Sequence, residues 1–271
     1  MQLCNGERTL ITGLESKKAV AWDLATASRK QTFECESPVI SMLLCDGENT
    51  LLTGLYCNRV VAWDLASGTR KQTFICDGAV SCMQLCDGER ALLTGLFSKK
   101  VMTWDLKSGD RIRKQTFDCD SAVYCMQLCN SEKTVLTGLK SNKVEAWDRA
   151  SSTRKKSLEC DSVVVCLQLC NGERTLLTGL ESNKVVAWDL ASGTRKQTLA
   201  CDGGVKCMQL YDRNKMLLTG LYSSKVVAWD LASGTQQQTL DCNSVVNCMQ
   251  SCEGVLLTGL DSRVCTWRMR M

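Results

Sequence analysis

The sequence predicts an all-β protein built from seven copies of one four-stranded unit, arranged radially. Three observations predict it. Thr-Gly-Leu recurs seven times, beginning at Thr12, Thr53, Thr94, Thr137, Thr178, Thr219 and Thr258, and each copy precedes a tryptophan. Those tryptophans (Trp22, Trp63, Trp104, Trp147, Trp188, Trp229 and Trp267) are the only ones in the chain, at spacings of 41, 41, 43, 41, 41 and 38 residues. Within each period, short apolar runs alternate with turn residues, and one such meander cannot bury both faces alone, so neighbours must stack. Seven stacked copies form a seven-bladed β-propeller, expected as a single domain with units at 1–35, 36–76, 77–119, 120–160, 161–201, 202–242 and 243–271.

Each element has a local reason. Val80 to Leu85 alternates in polarity and reads as a first strand. Asp87-Gly88 is a hairpin signal, repeated as Asn5-Gly6, Asp46-Gly47 and Asn171-Gly172. Ala91 to Leu96 is the second strand. Phe97 to Lys100 turns into the third, Val101 to Leu106, and Ser108-Gly109 turns into the fourth, Arg113 to Phe117. The first unit begins at Met1-Gln2-Leu3, so its first strand is expected to be short. The last unit ends after a third strand at Val264 to Met269, which predicts three strands and an open edge.

Composition excludes several classes. Apolar residues make up 44% and charged residues 23%, as in an ordinary soluble globular chain. A net charge of +4 gives no argument for nucleic acid or membrane. The N-terminus, MQLCNGERTL, has neither the basic nor the apolar segment of an export signal. Nineteen cysteines, an odd number without such a signal, point to free thiols in a reducing, cytoplasmic setting. Histidine is absent, which removes the commonest general base and zinc ligand. No cofactor and no metal are expected.

The unit resembles the WD repeat. Its Trp-Asp ending stands as Trp22-Asp23, Trp63-Asp64, Trp104-Asp105, Trp147-Asp148, Trp188-Asp189 and Trp229-Asp230. Its second-strand small residues match Thr-Gly, and its turn matches Asp87-Gly88. The resemblance covers essentially the whole chain. It implies a buried tetrad of His, Ser/Thr, Trp and a turn Asp, which this chain does not have. The turn Asp is replaced by Ser16, Cys57, Ser98, Ser141, Ser182, Ser223 and Ser262. In place of Gly-His stand Cys35-Glu36, Cys76-Asp77, Cys119-Asp120, Cys160-Asp161, Cys201-Asp202 and Cys242-Asn243. Two readings of those polar residues stand: Asp77, Asp120, Asp161, Asp202 and their counterparts accept from Thr and Trp in the histidine's stead, or they cap exposed turns. The resemblance also implies that an N-terminal segment supplies the last unit's outer strand, for which this sequence has no residues.

Recurrent chemistry reads as scaffold. The cysteines precede, lie within and end the first strand. Cys82 and Cys86 share a face but lie about 13 Å apart along it, too far for one zinc. They read as small buried apolar residues. The basic pairs Arg29-Lys30, Arg70-Lys71, Arg113-Lys114, Arg154-Lys155 and Arg195-Lys196 fall on the outer strand, and Gln236-Gln237 breaks the series. They form either a belt for phosphoinositide or nucleic acid or, as favoured here, edge protection. No phosphate loop, nucleophile elbow or matched catalytic pair is present, so no enzyme is expected.

Variation between near-identical units marks positions that the scaffold leaves free. After Thr-Gly-Leu stand Glu15, Tyr56, Phe97, Lys140, Glu181, Tyr222 and Asp261. Near the start of the first strand stand Ile40, Ser81, Tyr124, Val165, Lys206 and Asn247. Alternating strand direction puts both sets on one rim, where the resemblance implies that peptides or proteins bind. Tyr56, Phe97, Tyr124 and Tyr222 among mixed charges have the composition of interface anchors. The expected function is a non-catalytic platform for a protein or peptide partner, or the recognition propeller of a longer signalling or ubiquitin-ligase protein. The chain is expected to be monomeric, with association through the open edge of its last unit.

Overall fold

The computed structural model describes residues 1–108, 110, 115–213, 215–252, 254–261 and 263–268. Among them all regular structure is β-strand apart from one 3-10 residue. The first sheet is β1 (Gln2–Cys4), β2 (Thr9–Leu14), β3 (Lys18–Asp23) and β4 (Arg29–Glu34). The second is β5 (Val39–Cys45), β6 (Thr50–Leu55), β7 (Arg59–Asp64) and β8 (Arg70–Ile75). The third is β9 (Val80–Cys86), β10 (Ala91–Leu96), β11 (Lys100–Asp105) and β12 (Phe117–Asp118). The fourth is β13 (Val123–Cys129), β14 (Thr134–Leu139), β15 (Lys143–Asp148) and β16 (Arg154–Glu159). The fifth is β17 (Val164–Cys170), β18 (Thr175–Leu180), β19 (Lys184–Asp189) and β20 (Arg195–Ala200). The sixth is β21 (Val205–Tyr211), β22 (Met216–Leu221), β23 (Lys225–Asp230) and β24 (Gln236–Asp241). The seventh has three strands, β25 (Cys248–Cys252), β26 (Val255–Gly259) and β27 (Val264–Arg268). Strands pair in chain order within every sheet.

Two compact units divide the chain, Met1–Thr137 with Ala146–Lys156, and Gly138–Glu145 with Ser157–Met271. In the first, consecutive sheets pack face to face. Ile11, Ala19 and Phe33 meet Leu51, Leu55 and Trp63 in one cluster, and Leu52 and Phe74 meet Leu92, Met102 and Trp104 in the next. In the second, Leu177 and Leu199 meet Leu217, Val227 and Trp229. The second strand of a sheet is therefore buried along its whole length, as in β6, β10 and β18, whereas the fourth buries little more than one apolar side chain, such as Phe74 in β8.

The glycine of Thr-Gly-Leu has a packing cause. A Cβ on Gly95 would lie 2.5 Å from Cys82 Sγ and 2.8 Å from Cγ1 of Val123 in the following sheet. The first hairpin departs from the two-residue form. Asn5, Gly6 and Glu7 all have positive φ (54°, 59° and 65°), and the same run recurs at Asp46–Glu48 and Asp87–Glu89. This left-handed turn aims its glutamate backwards. Glu48 Oε2 accepts from the Asn5 backbone N–H, Glu89 from Asp46 and Glu132 from Asp87, each at 2.7 Å, which stitches each turn to the preceding one.

The fourth strand expected at Arg113 to Phe117 falls partly on residues outside those described. The third sheet's outer strand is described only at Phe117–Asp118; Gly109, Arg113 and Lys114 lie outside the described residues, as do Ser262 and Met269.

Candidate interaction rim

Each rim position is set by a bulge and a turn. In the second sheet Val39 pairs with Leu55 and Ser41 with Gly54, which leaves Ile40 without a cross-strand partner. Ser81, Val165 and Lys206 occupy the same bulge in later sheets. A bulge re-aims a side chain without ending the strand; Ile40 is turned outward by it, whereas the Ser81 hydroxyl lies 2.8 and 2.6 Å from the carbonyls of Gly95 and Val123. The turn residue is tied beside it. Backbone N–H groups of Tyr56, Phe97, Glu181 and Tyr222 donate to the carbonyls of Pro38, Ala79, Val163 and Gly204 at 2.9–3.1 Å. Both variable sets thus occupy the same edge of their own sheet.

In the first unit this edge is apolar. Tyr56 is 62% exposed, Ile40 38% and Phe97 37%. Tyr124, expected exposed, is half-buried because its ring packs edge-on against Phe97, with centroids 5.5 Å apart at 83°. Glu15 stands exposed on the first sheet. In the second unit most of the same positions are polar or charged, with Val165 and the 42% exposed Tyr222 as the exceptions. Lys206 Nζ lies 5.2 Å from the Tyr222 ring centroid and 3.3 Å from its hydroxyl. Asp261 accepts from Ser244 Oγ and from Asn247 Nδ2 at 2.8 Å, and these bonds hold its carboxyl below the usual range. Lys140 and Glu181 are exposed.

The tryptophans are pinned from inside. Trp22, Trp63, Trp104, Trp147, Trp188, Trp229 and Trp267 each donate Nε1–H to the hydroxyl of their own sheet's Thr-Gly threonine, at 2.9–3.1 Å. The threonine hydroxyl in turn donates a hydrogen bond to a third-strand carbonyl, as Thr53 does to Val61 at 3.3 Å.

The reading in which the acids replace the histidine fails. Asp77, Asp120, Asp161 and Asp202 are solvent-accessible and pair with Lys100, Arg154, Arg195 and Lys225 at 2.6–3.1 Å. The preceding cysteine is the residue that reaches inward. Burial pushes the thiols of Cys35, Cys160 and Cys201 up to about 11, 12 and 12, and each thiol donates to the carbonyl two residues before it, of Phe33, Leu158 and Leu199, at 3.6–4.0 Å. A neutral thiol fills this crowded place without the desolvation cost of a carboxylate.

The remaining repeated charges are used internally. Asp64 Oδ1 accepts from Ser67 N–H and Oγ–H at 2.8 and 2.9 Å while Lys71 lies 3.3 Å from Oδ2; Asp189 does the same with Ser192 and Lys196, which brings its carboxyl to about 2. The outer-strand arginines lie over tryptophans. Arg29, Arg70, Arg154 and Arg195 sit 5.0–6.0 Å from the rings of Trp22, Trp63, Trp147 and Trp188. The sequence carried that signal as a constant seven-residue Trp-to-Arg spacing, which the edge-protection reading overlooks. Burial raises Cys82 and Cys166 to about 12, so neither is an activated thiolate. Among the described residues no group of three or more His, Cys, Asp or Glu could hold a metal ion, and no helix is long and apolar enough to cross a membrane.

No family model matches the sequence, and no curated protein does. The structure is similar to a chain of the crystal structure titled Mitotic Checkpoint Complex, with a TM-score of 0.87, 20% identity, and coverage of 98% of this chain and 85% of that one. The fold is a seven-bladed β-propeller. Among the described residues six blades have four strands and the last has three.

Proposed function

We propose that this propeller is a non-catalytic interaction platform that takes a protein or peptide segment on the rim built from strand bulges and second turns. The observation that carries it is the exposed apolar edge of the first unit: Ile40, Tyr56 and Phe97, with Tyr124 packed under Phe97. Large aromatics at positions the scaffold leaves free are the residues that supply binding energy when a partner desolvates them. Hydrogen-bonded turns and bulges hold them in place, so binding costs little ordering. The similar chain of known structure sits in a multi-protein complex, and the same use is proposed here. A phosphate-binding belt on the outer strands is less favoured, because those cations lie on tryptophans or against carboxylates.

The test is photo-crosslinking. A benzophenone amino acid at Tyr56 or Phe97 should trap a protein from lysate, and Phe97→Ala with Tyr124→Ala should abolish capture by the Tyr56 probe. A probe at exposed Glu173, in the first hairpin turn of the fifth blade, should trap none of the same species. Equal capture at Tyr56 and Glu173 removes the rim reading.

A further inference from the structure

The seventh blade differs from the others in what its third strand leaves open. In the fifth blade β20 covers β19, with Lys184 opposite Ala200, Val185 opposite Leu199 and Trp188 opposite Arg195. There Val185 is 0% exposed, packed with Leu199 and with Leu217, Leu221 and Val227 of the next sheet. Its counterpart in β27, Val264, is 37% exposed, and Thr266 is exposed as well. A groove of about 420 Å³ runs along β27, lined by Val264, Cys265, Thr266 and Trp267, with Arg263 and Asp241 among the residues that bound it. Asp241 is opposite Lys225 of its own sheet.

The charges along this edge are also different. Elsewhere the third strand starts on a cation and ends on an aspartate; in some blades a fourth-strand side chain pairs with one of them, whereas Lys184 and Lys225 pair with Asp161 and Asp202 of the turn that precedes the first strand. Lys18 meets Glu34 at 2.9 Å and Lys143 meets Glu159 at 3.1 Å at one end; Asp189 meets Lys196 at 3.3 Å at the other. In the last blade Arg263 takes the Lys184 place, and Arg268 stands where Asp189 would be. Both ends of this edge are cationic and exposed. A strand with lysine in its second position, as in Arg195 to Ala200, would set that lysine against Arg268, a like-charge pair.

We infer that the β27 edge is a strand-addition site for an extended segment of a partner protein that carries acidic residues at its second and sixth positions and an aliphatic residue at its fifth. Backbone hydrogen bonds to the free edge supply affinity, and the alternate side chains supply choice. The aliphatic residue covers Val264, as Leu199 covers Val185. The two acids meet Arg268 and Arg263. The first residue lies on Trp267 as Arg195 lies on Trp188, where the separation is 5.0 Å. The like-charge clash disfavours a second copy of this chain donating an outer strand with lysine in its second position; β24, which has Gln237 there, is already paired with β23.

Two capped, fluorescein-labelled peptides test this. One is Arg-Lys-Gln-Thr-Leu-Ala, the chain's own segment 195–200; the other is Arg-Glu-Gln-Thr-Leu-Glu. Fluorescence anisotropy should show the acidic peptide binding at least tenfold more tightly. Arg268→Asp, an exposed substitution, should reverse the order of the two. Hydrogen exchange should show β27 amides protected by the acidic peptide. Equal affinities, an order unchanged by Arg268→Asp, or self-association of the free chain with β27 already protected would each overturn the proposal. Because Arg268 takes no part in the proposed rim, loss of this site leaves the photo-crosslinking result unaffected.

Discussion

The two compact units run the same repeat with different fillings. In the first, the buried outer-strand side chain is phenylalanine. Phe33, Phe74 and Phe117 meet Trp63, Trp104 and Trp147 edge-on, with centroids 5.7–5.8 Å apart. In the second, the place belongs to Leu158, Leu199 and Leu240. The phenylalanines are 0–1% exposed, whereas Leu158 and Leu199 are 7% and 4% exposed and Leu240 is only half-buried. The rim gains charge in parallel, from Ile40, Tyr56 and Phe97 to Glu181, Lys206 and Asp261, although Tyr222 keeps one exposed aromatic in the second unit. The Trp–Thr bond and the Thr-Gly-Leu strand are the parts common to both. The difference separates what the repeat requires, a pinned tryptophan on a glycine-tight second strand, from what it tolerates around that tryptophan.

The largest expected effect breaks the common part. Trp63→Ala removes a 95% buried ring, its bond to Thr53 and its contact with Phe33, and should cost about 3–5 kcal/mol. Trp188→Ala removes an equally buried ring that has no phenylalanine against it. Its cost should be smaller by about 0.5–1.5 kcal/mol, the usual value of an edge-to-face pair. Urea midpoints of the two variants decide this, and Phe33→Leu should close most of the gap. Identical losses would mean that the aromatic pair adds nothing beyond its area.

A smaller effect comes from a substitution peculiar to the fourth blade. Arg149 replaces the leucine that follows Trp-Asp elsewhere (Leu24, Leu65, Leu106, Leu190 and Leu231). It makes a bidentate pair with Asp87, at 2.7 and 2.8 Å. Arg149→Ala should cost about 1–2 kcal/mol near neutral pH, the charge-assisted value reduced because the carboxylate is 44% exposed. The pair holds the Asp87 carboxyl below its usual 3.8. A depressed folded-state value contributes stability that is present above the unfolded value and lost as pH falls through the folded one. The difference between wild type and variant should therefore be flat from pH 7 to about 5 and shrink below about 4. Constancy down to pH 2 would show that Arg149 acts only through packing.

Most of the fold was legible in the sequence, because period and turn chemistry are local. The tryptophan spacing fixed the number of blades, and the shorter last unit gave its three strands. Contacts between residues distant in the chain were less legible. The acids beside the cysteines read equally as acceptors for Thr and Trp or as caps of exposed turns, because type and period fit both. Which of two adjacent residues points inward depends on strand phase at an irregular entry, and composition does not give that. The cysteine won because the space is small and dry. Glu145 shows the same limit. It is fully buried in β15, where Val186 and Val227 stand in the next blades, and nothing in its neighbours marks it. The rim positions were legible as variation, but the bulge that holds Ile40, Ser81, Val165 and Lys206 is a register feature that appears only once strands are paired.

The smallest effect sharpens the comparison between turns. Gly6, Gly47, Gly88 and Gly172 hold the middle of the left-handed first turn, with φ of 59–61°. Ser131 and Arg213 hold it in the fourth and sixth blades, with φ of 50° in both. A Cβ on Gly88 or Gly172 would meet no atom within 4 Å, so the glycines are there for backbone conformation and not for space. A residue with a Cβ costs roughly 1–2 kcal/mol in this region, and glycine returns part of that by loosening the unfolded chain. Ser131→Gly and Arg213→Gly should each stabilise by about 0.5–1 kcal/mol, and Gly88→Ser should destabilise by a similar amount. If all three left the urea midpoint unchanged, the turn would not be strained, and the glycine in four of the six long turns would need a cause other than backbone freedom.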